Sequence, residues 1–127
     1  MPSPADSTLR ILLVDDDPGM VKALRRLLRA AGHTVETAVS GGEAPIQFEK
    51  GRFDLVITDY QMPGMNGDEL AAAIKALVPI QPILMVTAYA EQLRRSIGLL
   101  SAVDMVIDKP CQPKELFEAI AKLLDNR

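Results

Sequence analysis

The chain has 127 residues, enough for one domain with a substantial core and too few for two. It is 48% hydrophobic and 24% charged, with a net charge of −3 and a pI near 5.1, an ordinary globular composition. No cationic excess marks it for nucleic acid or an anionic membrane. Its apolar runs fall well short of the roughly 20 residues that span a bilayer, and no secretory leader opens it, so the expected compartment is the cytoplasm.

Residues 1–8 (MPSPADST) carry no apolar periodicity and read as a flexible tail, leaving 9–125 as the expected domain. Residues 9–14 (LRILLV) form a first strand. Asp17-Pro18 then resembles an N-cap followed by proline at the first helical position. Met20, Leu24, Leu27, Leu28 and Ala31 recur at helical spacing, and Gly32 ends the helix. Residues 34–39 alternate as a second strand. Ser40 and Glu43 suggest a capping box, but Pro45 would interrupt a helix starting there, so the second helix should be short, late or bent. The third strand, 53–58 (FDLVIT), is too continuously apolar to leave one face in water.

A Pro-Gly loop (QMPGMNG) follows, and Asn66 with Glu69 forms a cap-like pair before Leu70, Ile74 and Leu77. Residues 82–86 (PILMV) read as strand four, and Leu93, Ile97 and Leu100 as the face of helix four. Residues 103–107 (VDMVI) read as strand five. Pro113 opens a last helix bearing Leu116, Ile120, Leu123 and Leu124. Five strand–helix alternations imply a parallel α/β sheet with right-handed crossovers and helices on both sides. The expected fold is a flavodoxin-like (βα)5 doubly wound sheet of order 2-1-3-4-5, with strands one and three adjacent at the switch point.

Four motifs then sit at strand ends: Asp15-Asp16 after ILLV, Asp59 after LVIT, Thr87 after ILMV, and Lys109-Pro110 after MVID. In an open parallel sheet these ends share one edge, so the residues converge there. Three carboxylates facing a lysine and a hydroxyl make a divalent-cation and phosphoryl site. Each motif alone has a plainer reading. Asp15-Asp16 could be a solvated turn, Asp17 is better read as a helix cap than a ligand, Lys109 as a surface lysine, and Thr87 as a β-branched strand residue or cap. His33, at a helix–strand turn, reads as a surface residue, and the methionines as core or loop fillers. The single cysteine, Cys111, excludes an internal disulfide and reads as a packing residue rather than a reactive thiol.

The pieces VDDDPG, TDYQMPGMNG, MVTAYA and IDKP, in this order and spacing, make residues 9–124 resemble a two-component response-regulator receiver domain, of which single-domain chemotaxis receivers are one type. The resemblance implies Asp59 as phosphoacceptor, taking a phosphoryl group from a sensor histidine kinase or histidine phosphotransfer protein. It implies Mg²⁺, or Mn²⁺ in its place, on Asp16, Asp59 and the Gln61 backbone carbonyl, with Asp15 ligating or holding a bound water. Lys109, after a typically cis Lys-Pro peptide, would pair with one phosphoryl oxygen, and Thr87 would move to bond another. Output would pass to an unknown protein target through the face of helix four, strand five and helix five, with no direct nucleic-acid or membrane contact. The chain would be a signalling domain that catalyses only its own phosphorylation and dephosphorylation.

Three positions depart from the family pattern: Val106 replaces the usual switch aromatic, Cys111 a frequent aromatic, and Ala102 a frequent glycine. Tyr89, two residues after Thr87, could supply the missing aromatic, so Thr87, Tyr89 and Val106 are the expected switch positions. Two other readings compete. VDDDP also resembles the start of haloacid-dehalogenase-like phosphatases, with Asp15 as nucleophile and Asp17 as acid–base. That scheme needs a late pair of acids at a strand end, whereas Glu115, Glu118 and Asp125 fall on the last helix. A pseudo-receiver that binds protein without phosphorylation is the third, and the complete acid–Thr–Lys set argues against it.

Overall fold

The computed structural model describes residues 8–95 and 101–125. Residues 1–7 of the expected tail, and Ile97 and Leu100 of the expected fourth helix, lie outside the described residues. Strands and helices alternate as β1 (Arg10–Val14), α1 (Pro18–Ala30), β2 (Thr34–Ala38), α2 (Ala44–Glu49), β3 (Leu55–Thr58), α3 (Gly67–Leu77), β4 (Ile83–Thr87), α4 (Ala90–Arg94), β5 (Met105–Asp108) and α5 (Pro113–Asp125). The strands form one parallel sheet of order β2-β1-β3-β4-β5, the doubly wound order expected from the alternation.

The period of two along β1 divides the core. Ile11 and Leu13 face one layer with Leu24, Leu28, Leu116 and Ile120, so α1 and α5 cover that side. Leu12 and Val14 face the other with Phe48, Leu70, Ala71 and Ile74, so α2 and α3 cover the opposite side. Strand β1 is thus buried on both faces, as an interior parallel strand must be.

Local chemistry sets the boundaries. The Asp17 carboxylate accepts the Gly19 and Met20 N–H groups at 3.0 and 3.3 Å and caps α1, while Gly32, at φ 97°, turns the chain out of it. Ser40 Oγ accepts the Glu43 N–H at 3.1 Å, half of the expected box, and α2 begins late with Pro45 in its first turn. The Asn66 N–H donates to the Glu69 carboxylate at 3.2 Å at the start of α3. Strand β3 starts at Leu55 rather than 53, because Phe53 leaves the sheet to stack on Phe48, with ring centroids 6.1 Å apart. Strand β5 starts at Met105 rather than 103: just before it, the Asp104 carboxylate takes the Ile83 N–H at 2.8 Å and pairs with Lys75. Strand β4 runs on to include Thr87. His33 departs from the surface role expected for it. It is buried, and its Nδ1 accepts the Leu9 N–H at 3.1 Å, tying the α1–β2 turn to the start of β1.

Candidate functional site

At the C-terminal edge of the sheet, the last ladder bonds deliver the acids. The Asp15 N–H continues the β1–β2 ladder to the Ala38 carbonyl at 3.2 Å, and the Asp59 N–H reaches the Val14 carbonyl at 3.0 Å. The two aspartates therefore leave adjacent strands side by side. From β5, the Lys109 N–H bonds the Thr87 carbonyl at 2.9 Å, and the Lys109-Pro110 peptide is cis.

Carboxylate oxygens of Asp15, Asp16 and Asp59 lie within 4.8 Å of one another. Lys109 Nζ bridges two of them, 2.8 Å from Asp15 Oδ2 and 3.1 Å from Asp59 Oδ2. Asp15 is buried, and its Oδ1 accepts the Asp17 N–H at 3.0 Å, so both its oxygens are engaged. Asp59 is half-buried, and its Oδ1 accepts the Tyr60 N–H at 2.7 Å. Asp16 is exposed, and among the described residues its carboxylate has no protein partner. Above them lies an open depression of about 530 Å³, floored by Asp59 and Lys109 and walled by Asp16, Gln61, Pro63 and Tyr89.

The other expected residues stand at different depths. Thr87 is fully buried behind the wall, its hydroxyl accepting the Tyr89 N–H at 3.2 Å. Tyr89 is 46% exposed and caps the start of α4. Val106 is half-buried in β5 and does not line the depression. Cys111 is half-buried against the α1–α5 core, and burial together with the Glu115 charge pushes its thiol up, which fits a packing residue.

Two contributors were not legible in the sequence. Gly67 packs so closely on Asp59 that a Cβ there would run into the Asp59 carbonyl, and its N–H bonds the Tyr60 carbonyl at 2.6 Å. It holds the loop after β3 against the site, although its letter alone reads only as a loop glycine. Arg94 of α4 reaches β5, where Nη2 donates to the Val106 carbonyl at 2.6 Å. No sequence signal distinguishes that arginine from a solvated one.

Three carboxylates face one ammonium, so the cluster carries excess negative charge. Burial is the largest influence on Asp59 and pushes its carboxyl above the usual range, with the Asp15 charge adding to it, against the lowering effect of the Tyr60 N–H and Lys109. Burial alone would lower Lys109, but its hydrogen bonds to Asp15 and Asp59 and their charges outweigh that and hold it above its ordinary value. The lysine is thus held charged between Asp15 and Asp59. Hard oxygen donors, an unpartnered Asp16 and an Asp59 whose ionisation is penalised are a donor set suited to Mg²⁺.

Known proteins share this fold and much of this sequence. The profile of the response regulator receiver domain matches residues 11–121. The transcriptional regulatory protein TcrA of Mycobacterium tuberculosis is 36% identical over 117 residues, covering 92% of this chain and 46% of TcrA. The chain thus spans about half the length of TcrA and of the response regulator MtrA of Mycolicibacterium smegmatis, and 26% of the regulator GlrR of Escherichia coli. The response regulator TrrA of Thermotoga maritima, solved in complex with Mg²⁺-BeF, is 38% identical with a TM-score of 0.83, covering 91% of this chain and 98% of that one. A second structure holds TrrA in complex with the histidine kinase ThkA, at 38% identity and a TM-score of 0.81, covering 91% and 97%. With a profile match over nearly all of its sheet and helices, this chain belongs to the family of response-regulator receiver domains.

Proposed function

We propose that Asp59 is the phosphoacceptor of this receiver and that residues 9–125 form the whole switching unit. One Asp59 carboxylate oxygen attacks the phosphorus of a phosphohistidine on a sensor histidine kinase or phosphotransfer protein. The new P–O bond forms as the P–N bond breaks, and the electron pair of that bond leaves on the donor imidazole. Such a transfer depends mainly on positioning and charge stabilisation. Asp59 Oδ1 is oriented by the Tyr60 N–H, and Oδ2 is released as Lys109 turns to the incoming phosphoryl oxygens. Thr87 exchanges its bond from the Tyr89 N–H for one to the phosphoryl group. Asp16, Asp59 and the Gln61 carbonyl, with Asp15 behind them, are the residues that would hold Mg²⁺ or Mn²⁺. The ion supplies neutralisation of the charge gathered between acids and phosphate.

The observation that carries this reading is the convergence of three carboxylates within 4.8 Å, two of them bridged by Lys109, with Asp16, Asp59 and Lys109 facing an open depression. The phosphatase-like alternative fares worse. Its nucleophile, Asp15, is 3% exposed and does not line the depression, and Glu115, Glu118 and Asp125 lie on α5 rather than at a strand end.

The phosphodonor reaches the site past the start of α1. That helix contains no acid, and its exposed residues include Lys22, Arg25, Arg26 and Arg29, none of which forms an ion pair among the described residues. On a chain of net charge −3, this face suits an acidic protein surface beside the phosphohistidine. The acidic depression next to it disfavours a nucleic-acid backbone. We place the domain in the cytoplasm, where such kinases act; no described helix is long and apolar enough to cross a membrane.

The test is incubation with acetyl phosphate. Intact mass should show one base-labile phosphoryl group that forms with Mg²⁺ and not in chelator. Acquisition independent of divalent ion, or no acquisition at all, contradicts the reading.

A further inference from the structure

Strand β5 is the last in the sheet, so one of its edges has no strand to pair with among the described residues. Lys109 turns its N–H inward to the Thr87 carbonyl. Backbone groups alternate along a strand, so the Val106 carbonyl, three residues earlier, faces the open side. Arg94 occupies that side. Its Nη2 donates to the Val106 carbonyl at 2.6 Å, and its Nη1 stands 3.9 Å from the Asp108 carboxylate. One guanidinium from α4 therefore holds the open edge of the strand that leads into Lys109.

The same arginine is tied to the other moving part. It closes the short helix that Tyr89 opens, and the Tyr89 N–H is bonded to the Thr87 hydroxyl. When Thr87 turns to a phosphoryl oxygen it gives up that bond, which frees the loop carrying α4. When Lys109 reaches for the phosphoryl group, it draws on the end of β5. Both movements load the Arg94–Val106 bond. The Val106 side chain, β-branched and confined at χ1, has no ring to swing between core and solvent.

We propose that Arg94 is the positioning residue that couples α4 to Lys109 in this chain, through the backbone of β5, and that its bond to Val106 stabilises the unphosphorylated arrangement. The inference rests on Asp59 as acceptor and extends it to how the signal leaves the site. A bond present in one state and lost in the other shifts the population by its own free-energy difference. Arg94 is thus a latch.

The test uses the whole chain as wild type, Arg94→Ala and Arg94→Lys, titrated with beryllofluoride and Mg²⁺. The chain has two tyrosines, Tyr60 and Tyr89, and no tryptophan, so its intrinsic fluorescence reports from beside the site. Arg94→Ala should bind beryllofluoride about five- to tenfold more tightly, the lower part of the usual range of coupling between sites. Amide exchange over residues 105–108 should quicken in the unliganded variant. Arg94→Lys, which keeps a donor and a charge near Asp108, should fall between wild type and Arg94→Ala. The Arg94 side chain is half-exposed, so all three proteins should fold, and melting curves check that. Equal affinity in wild type and Arg94→Ala overturns the latch, as does weaker binding in the variant. Failure of the wild type itself to bind beryllofluoride overturns the acceptor reading, and the latch with it.

Discussion

His33 and Asp59 show opposite consequences of burying an ionisable side chain. His33 is neutral in the fold because its Nδ1 accepts the Leu9 N–H, and burial lowers its pKa below the ordinary 6.5. A depressed histidine pKa means the unfolded chain binds the proton first, so stability is lost as pH falls below about 6.5 toward the folded value. Denaturant melts from pH 7.5 to 5 should show this loss, and His33→Gln, which retains an acceptor without titrating there, should flatten it. An identical slope in the variant would assign the acid loss to other groups. Asp59 behaves the other way. Its raised pKa means the ionised form is penalised by folding, a cost that grows as pH rises through the folded value. Asp59→Asn should therefore stabilise the metal-free protein at neutral pH, and a lower melting temperature would argue against it. Asp59 was legible because it follows an apolar strand. The burial of His33 was not, because a lone histidine at a turn carries no pattern showing which way it faces.

Element existence followed from periodicity, and element ends followed from single side chains. Every expected helix and strand is present among the described residues, most of them marked by apolar spacing, β3 by a continuous apolar run and α2 only by its cap and Pro45. Phe53 and Asp104 moved the starts of β3 and β5 through a ring stack with Phe48 and a side-chain bond to Ile83, tertiary contacts that apolar spacing does not encode. Gly67 illustrates the same limit at the site, since its role depends on the Asp59 carbonyl lying against it. Gly67→Ala should destabilise the fold by about 1–3 kcal/mol through overpacking and also lower beryllofluoride affinity, measured by denaturant melts and fluorescence titration. A neutral substitution would mean the loop yields freely and does not hold Asp59. Thr87→Ala should shrink the beryllofluoride-induced change in amide exchange at the start of α4. An undiminished change would remove Thr87 from the signal route.

For the whole molecule, the fold gathers acids that the unfolded chain keeps apart, so a divalent ion that binds only the folded state must stabilise it. At a concentration one hundred times its dissociation constant the gain is about 2.7 kcal/mol, several degrees in melting temperature. Asp16→Ala should remove most of that rise, because Asp16 is the cluster's carboxylate without a protein partner among the described residues. A rise unchanged in Asp16→Ala would place the ion elsewhere. The acid–acid–Thr–Lys set was readable because a parallel sheet delivers all its strand ends to one edge. The depth of Thr87 and the reach of Arg94 were not, because they depend on how α4 lies across the last strand. The most direct measurement is the position of the phosphoryl group itself. After phosphorylation with acetyl phosphate and Mg²⁺, borohydride reduces an acyl phosphate to a homoserine residue that peptide mass spectrometry locates. The modified residue should be Asp59, and Asp59→Asn should show none. Homoserine at Asp15, or at another carboxylate in the wild type, would contradict the assignment of this site.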